Sequence, residues 1–462
     1  MTAKSMLVLG MLLVSTGCTM APKYTRPARP VPETWPEAAA KHDRQVAASL
    51  RWQEFFTNPR LQSVIKLALV NNRDLRVAAL NVDKAQAMYR IQRSELLPGV
   101  GVLASGSKYR LPEKMNSDGM AKIVEQDSVN VGIMSWEVDF FGRLRSLKSK
   151  AMNQYLATEE ARTAAQISLI SAVAQGYLLH AADCENLELA QATLQSQRAF
   201  YDMIAKSREL GVASELELRQ AQSQVDTARS DVARFRGVVV LDENALDLLV
   251  GTRVPAELLA RGLGAVGELK DVSASLSSEV LLRRPDILMS EYQLRAANAN
   301  IGAARAAFFP RVSLTAGIGT MSPDVSGLFG SGTRTWSFAP QIVAPIFAGG
   351  SLLANLKVSK VDREIAVAQY EQAIQSAFRE VADGLDRRVS LLDQLEAQRS
   401  LVEALDASYH LSEIRYKEGL DGYLGVLVAQ RSLYATQQGL VATRLAYQAN
   451  QVALYKALAG QL

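Results

Sequence analysis

The chain states one pattern twice. Asp74-Leu75 recurs as Asp286-Ile287, and Leu96-Leu97-Pro98 recurs as Phe308-Phe309-Pro310 at the same spacing. Glu209-Leu210-Gly211, Leu216 and Ala221-Gln222 recur as Lys417-Glu418-Gly419, Leu424 and Ala429-Gln430. Leu249-Val250-Gly251 recurs as Leu458-Ala459-Gly460. The period is roughly 210 residues, far longer than the ~20–50 residues of a solenoid repeat. A domain-sized unit has therefore been duplicated, and each unit reads helix, two strands, very long helix, tight turn, helix.

Two alternating runs in each unit carry the strand reading. Val100, Val102, Ala104 and Gly106 alternate along a first strand (about 98–111), and a second alternating run goes from Val129 to Phe141 (about 128–141). Polar and small residues between Pro112 and Gln126 read as an exposed loop. In the second unit Val312, Leu314, Ala316 and Ile318 mark one strand (about 310–321). Trp336, Phe338, Ile342 and Ile346 mark its partner (about 334–347). Each run is long enough for a tilted strand to cross a bilayer, which takes ~9–11 residues. A soluble hairpin with one buried face is the alternative. Four strands cannot close a barrel in lipid, where open edges are not tolerated, so a membrane reading demands an oligomer; three chains would supply twelve strands.

The helices give independent geometry. Arg143–Arg208 and Ser351–Lys417 contain no proline, and at ~1.5 Å per residue each would be roughly 100 Å long. Returning helices run from about Ser214 to Val250 and Gly422 to Ala459. Leading helices run from about Leu61 to Glu95 and Ser278 to Phe308. One returning plus one leading helix match one long helix, so stacked short helices would make four staves per chain. Val426, Leu433, Leu440, Tyr447 and Leu454 recur every seven residues, beside Leu427, Tyr434, Val441 and Tyr455. This is coiled-coil packing with two columns side by side. A third column, Gln430, Gln437, Arg444 and Gln451, reads as a polar face toward water.

The first residues read as a targeting segment (1–17): Lys4, then the short apolar stretch Met6–Ser15, then Ser15-Thr16-Gly17-Cys18. A Cys after a small-residue cleavage site resembles the bacterial lipoprotein signal, which implies lipidation of Cys18. Ser15 departs from that motif, and an ordinary signal peptide with a chance Cys is the alternative. The proline-rich stretch from Ala21 to Pro36 reads as an extended arm. No later apolar run reaches ~20 residues, so no membrane-crossing helix is expected. The net charge of +4 has no Lys/Arg block behind it, which disfavours nucleic acid. Cys184, His42, His180 and His410 are scattered singly and read as packing or surface residues, with no metal spacing. No Ser-His-Asp set, Cys-His pair or phosphate-binding Gly loop appears. The expectation is therefore no enzyme and no cofactor beyond acyl and diacylglycerol lipid on Cys18.

Taken in order, Ala21-Pro22-Lys23-Tyr24 with Arg26-Pro27, Asn72-Arg73-Asp74-Leu75, Trp136-Glu137-Val138-Asp139-Phe140-Phe141-Gly142, Leu282-Arg283-Arg284-Pro285-Asp286-Ile287 and Phe309-Pro310 resemble the outer-membrane efflux proteins of the TolC type, in their lipoprotein branch. The resemblance covers nearly all of 18–462. It implies an α+β membrane protein: a homotrimer with a 12-stranded outer-membrane β-barrel continued by a 12-helix periplasmic α-barrel. It also implies the division 1–17 signal peptide, 18–60 anchored arm and equatorial segment, 61–251 first repeat, 252–277 equatorial linker, 278–462 second repeat. The implied partners are a periplasmic adaptor, an inner-membrane pump of the resistance-nodulation-division (RND) class and outer-membrane lipid. The implied task is passive conduction of drugs or other small toxic compounds to the exterior.

The same resemblance assigns residues. Gly211, Val212, Gly419 and Leu420 would be adaptor-docking tips; as helix C-caps the two glycines have a purely structural reading too. Leu424, Val428 and Arg431 would narrow the periplasmic aperture, with Val428 standing where relatives carry Asp. Glu217 is either an acidic aperture residue, paired with Arg431, or a solvated helix-surface residue. Trp136 and Trp336 suit a membrane interface or wall packing equally. The rival from another class is a poreless periplasmic coiled-coil lipoprotein; within the channel class, metal export or type I secretion competes with drug efflux.

Overall fold

A computed structural model describes residues 19–35, 51–117, 120–270 and 278–458. The signal segment, Cys18, His42, much of the expected equatorial segment and the last four residues lie outside the described residues. In chain order the elements are α1 (Trp52–Phe55), α2 (Pro59–Asn71), α3 (Arg73–Ser94), β1 (Val100–Leu111), β2 (Lys122–Val138), α4 (Arg143–Glu209) and α5 (Glu215–Val250). The second half adds α6 (Pro285–Ala306), β3 (Arg311–Ser322), β4 (Arg334–Val343), α7 (Ser351–Lys417) and α8 (Tyr423–Ala457).

Several expectations change; β4, for one, ends at Val343 and leaves Ile346, read as a strand marker, outside it. The single leading helix of the first repeat is two helices, because Asn72 leaves helical backbone (ψ 131°). Its side chain accepts from Leu75 N–H at 2.8 Å and donates to Leu249 carbonyl at 2.8 Å, so it caps one helix and holds another. In the second repeat a 3₁₀ turn, Ser278–Arg283, precedes α6, as Pro285 requires at a helix start. β2 starts at Lys122, inside the stretch read as loop, and ends at Val138, short of Phe140-Phe141. Asp139 explains that end. Its carboxylate accepts from Leu144 N–H and Arg145 N–H, at 3.1 and 2.9 Å, and so turns the chain into α4.

Contacts divide the chain into two compact units that cut across the repeats. One takes the chain up to Ala28 with Asn81–Glu159 and Met289–Tyr370; the other takes Arg29–Leu80, Glu160–Leu288 and Glu371–Leu462. Each unit therefore combines equivalent pieces of both repeats.

The first unit holds the sheet, four antiparallel strands in the order β1-β2-β3-β4. Directly opposed residues of antiparallel strands share a face. On one face lie Val100, Val102 and Ala104 against Ile133, Val131 and Val129. The same face continues through Val312, Leu314, Ala316 and Ile318 to Ile342, Pro340, Phe338 and Trp336. The other face is mostly small and polar, with Ser105 opposing Ser128, Gly132 opposing Gly317 and Thr315 opposing Ala339, though Leu103, Tyr109, Val124 and Met134 also lie on it. On β2 the odd-numbered residues are apolar from Val129 to Ile133, and the even-numbered ones from Trp136. A bulge at Ser135 (φ 106°) absorbs the change of phase and keeps Trp136 and Val138 on the apolar face.

The N-terminal arm belongs to this unit as well. Asn298 donates to Pro22 carbonyl at 2.8 Å. Tyr24 hydroxyl and the Arg26 guanidinium donate to the Glu291 carboxylate, which is 3% exposed, and Arg295 completes the pairing at 2.7 Å. The arm is extended, as its prolines require, and it is fastened along α6.

In the second unit α1 and α8 share an aromatic core: Phe55 stacks on Tyr455 at 4.3 Å, with Phe56, just after α1, edge-on to both. The apolar heptad columns of α8 are largely buried; Val426, Leu427, Leu433, Val441, Leu454 and Tyr455 are all below 9% exposure. The polar column is not the wet face expected. Gln430 and Gln451 are buried, and Arg444 pairs with Glu185 at 2.6 Å. Long amide and guanidinium side chains reach partners on neighbouring elements, so a polar heptad position need not face water.

Candidate functional site

The two tight turns that close the long helices are built alike. After α4, Gly211 N–H donates to Arg208 carbonyl and Val212 N–H to Ser207 carbonyl, both at 2.9 Å. After α7, Gly419 N–H donates to Tyr416 carbonyl at 3.0 Å and Leu420 N–H to Arg415 carbonyl at 2.9 Å. Both glycines are left-handed, at φ +77° and +70°. This is the glycine-ended helix stop in which the residue after Gly reaches back five positions. That residue usually lays an apolar side chain on the last helical turn. Here Val212 and Leu420 do not; they are 82% and 66% exposed.

The turns differ in how the next helix begins. Ser214 caps α5: its hydroxyl accepts from Glu217 N–H at 3.2 Å, and the Glu217 carboxylate accepts from Ser214 N–H at 2.7 Å. This reciprocal capping box was legible as Ser-x-x-Glu. α8 begins at Gly422 with no side-chain cap. Ion pairs brace both turns: Arg208 with Glu215 at 2.6 Å, Arg415 with Asp421 at 2.5 Å.

Behind the turns the ends of α4 and α7 and the starts of α5 and α8 share a core of Phe200, Ile204, Leu218, Ala221, Tyr423, Val426 and Leu427. Tyr409 and Tyr416 pack against it. Burial pushes the Tyr423 phenol up to about 12, with Tyr416 and Tyr409 adding to the rise. These rings stay neutral at any physiological pH and act as packing groups.

Of the sequence-assigned aperture residues, Leu424, Val428 and Arg431 share one face of α8, at the i, i+4, i+7 spacing. Leu424 and Val428 are exposed. Arg431 does not meet Glu217. Its Nε donates to the Gln224 Oε1 at 3.1 Å, one heptad further along α5, while Glu217 is half-buried and committed to the cap. Between the helices lies a buried amide pair that the sequence reading passed over: Gln197 donates to Gln430 at 2.8 Å. Tyr434 hydroxyl donates to Asp231 at 3.3 Å beside it.

Elsewhere in this unit His180 is buried against Cys184 and lies 3.7 Å from Glu243. Burial pushes the Cys184 thiol up to about 11, far from a nucleophile's range. Among the described residues no group of three or more His, Cys, Asp and Glu is placed to hold a metal ion. Also among them, no helix is long and apolar enough to cross a membrane.

The apolar sheet face, by contrast, is left uncovered by the described residues: Val100, Val102, Trp336, Phe338 and Ile342 are between 61% and 76% exposed. Apolar residues outside and small polar residues inside, alternating along every strand, are the pattern of a membrane strand. An exposed face of that size marks an interaction surface. It defines a membrane-embedded protein of the channel class. Comparison with known proteins agrees. The outer membrane efflux protein pattern matches residues 64–252 and 276–460, which are close to the two repeats, and the chain belongs to that family. The antibiotic efflux pump outer membrane protein ArpC of Pseudomonas putida is 45% identical over 99% of this chain and 96% of its own length. The toluene efflux pump outer membrane protein TtgC, also of Pseudomonas putida, matches to the same extent. The Neisseria gonorrhoeae MtrE outer membrane channel, solved in its open state, superposes with a TM-score of 0.86 at 36% identity, covering 96% of this chain and 98% of that one.

Proposed function

We infer that this outer-membrane efflux protein is the exit duct of a tripartite system. Three copies close their sheets into a 12-stranded barrel, and their helices form a 12-helix tunnel on the periplasmic side. A periplasmic adaptor docks at the tips around Gly211, Val212, Gly419 and Leu420. An inner-membrane pump of the RND class supplies the cargo, and the duct itself spends no energy. Drugs and other small toxic compounds are the cargo class; antibiotics and toluene are named for the two relatives above. Cys18 carries the lipid that anchors the arm. Leu424, Val428, Arg431 and Glu217 narrow the aperture until engagement of the tips moves the helices apart.

The observation that carries this reading is the sheet. Its apolar face is exposed, and among the described residues β1 and β4 leave their outer edges unpaired. Backbone edges are not tolerated in lipid, so a lipid-facing sheet must pair with further copies. A photoreactive residue at Val212 or Leu420 tests the reading in cells. Capture of a periplasmic adaptor and its pump is the expected result. Capture of this chain alone, from a normally assembled outer-membrane protein, would overturn the docking assignment.

A further inference from the structure

In the first unit an open apolar hollow of about 570 Å³ lies where the described chain begins. Phe308, Phe309, Leu353 and Leu356 line it, together with Thr19–Ala21 and Arg305. Its size is in the range of small-molecule sites, ~300–1,000 Å³. The hollow is firmly built. Phe309 is fixed by stacking on Phe141 at 4.8 Å, and Leu353 and Leu356 stand on the first turns of α7. Yet Leu353 is 68% exposed and Phe309 41%, so nothing within the described chain fills it.

The arm fixes what is delivered to this place. Thr19 Oγ1 is 3.0 Å from Ser146 Oγ, and Ala21 N–H donates back to Thr19 Oγ1 at 3.1 Å. Arg305 donates to Met20 carbonyl at 3.1 Å, which occupies its guanidinium with the arm's backbone. Ala21 lies so close to α6 that a Cβ on Gly302 would come within 2.6 Å of its nitrogen. The chain is therefore clamped at Thr19–Ala21, directly after Cys18 in the sequence.

We propose that the hollow formed by Phe308, Phe309, Leu353 and Leu356 seats one fatty-acyl chain carried by Cys18. The proposal rests on the lipidation of Cys18 inferred above and adds a protein site for part of that lipid. An amide-linked acyl chain on residue 18 starts one residue from the hollow and meets four apolar side chains. The remaining chains of a lipidated Cys enter the bilayer, since stable anchoring takes more than one chain. The seated chain covers an apolar surface at the foot of β3 and fixes the arm's register against α6.

The test uses the full-length protein made in cells fed a diazirine-bearing fatty acid, purified with its lipid, irradiated and mapped by mass spectrometry. Intact mass comes first: a mature chain without lipid on Cys18 would sink the lipidation reading and this site with it. With lipid present, the attached acyl chain should label the peptides carrying Phe308-Phe309 or Leu353–Leu356. Label confined to bilayer phospholipid, to a neighbouring copy or to other segments would leave lipidation standing and overturn the site. A Cys18→Ala variant exported behind a non-lipoprotein leader should lose the label at the hollow; persistence would mean that a phospholipid fills it. Replacing the exposed Leu353 and the half-buried Leu356 together (Leu353→Gln with Leu356→Gln) should lower labelling of Phe308-Phe309 several-fold without loss of assembly. Undiminished labelling would also overturn the site.

Discussion

Arg284 shows how far one residue's role exceeds its motif. In Leu282-Arg283-Arg284-Pro285-Asp286-Ile287 it looks like one of two adjacent cations. In the structure it is 6% exposed and bonds Asp286 at 2.7 and 3.0 Å, Glu380 at 2.9 Å and Ala457 carbonyl at 2.7 Å, joining the start of α6 to α7 and the end of α8. Arg284→Met should cost about 2–3 kcal/mol, the loss of charged hydrogen bonds whose acid partners keep some solvent, read as a lower thermal midpoint. The pH dependence follows from the same site. Burial alone would raise the Asp286 carboxyl, but Arg284 outweighs it and holds the carboxyl below its usual range. Glu291 is likewise held low, against its burial, by Arg26 and Arg295. A depressed carboxyl gives stability that is present above its unfolded pKa, about 4, and is lost as pH falls through the folded value. The thermal midpoint should hold down to about pH 4 and then drop, with a shallower drop in Arg284→Met. Glu217 separates cap from aperture in the same way. Ser214→Ala should cost about 1 kcal/mol of helix stability. Glu217→Gln, which keeps a capping side chain, should leave the thermal midpoint unchanged while weakening cation preference in single-channel recordings; an unchanged preference would leave Glu217 a cap alone.

At the scale of elements the alternating runs reported strands, and the prolines and glycines reported the ends of helices. α7 spans Ser351–Lys417, the proline-free stretch itself. What the runs concealed was phase. Alternation was apparent from Val129 onward, but the bulge at Ser135 is visible only against β3, because a bulge is a relation between two strands. Deleting Ser135 should leave Trp136 and Val138 on the apolar face, because Met134 and Trp136 already oppose the successive residues Thr315 and Leu314, and the heat-modifiable outer-membrane form should survive on gels; its loss would contradict the bulge. On β4, Phe338→Arg places a charge on the apolar face and should cost about 2–4 kcal/mol at mid-membrane depth. Ser337→Arg, on the opposite face beside Gly317, should still assemble. Equal behaviour of the two variants would contradict the assignment of faces.

At the scale of the whole molecule the two repeats and the two compact units are different divisions of one chain. Duplication was legible because paired motifs recur in the same order at nearly the same spacing, roughly 210 residues. The units were not, since each draws equivalent pieces from both repeats. The proposed aperture belongs to this scale because its closure depends on several chains. Leu424→Ala and Arg431→Ala should each raise the conductance of the isolated channel in a planar bilayer. Unchanged conductance in both would remove this face of α8 from the constriction.

The sequence by itself determined the elements and the family: proline-free stretches, glycine stops and period-two runs act through local backbone preference, which each residue carries with it. It also marked Val212 and Leu420 beside their glycines, because a helix stop is a local event. Only the tertiary structure decided the partners. Arg431 bonds Gln224 rather than Glu217, Gln430 is buried on Gln197, Arg284 ties three helices together, and the arm is clamped on Glu291. Long polar side chains reach across elements, and which of several acceptors they meet depends on helix phase and strand register, quantities that exist only between segments.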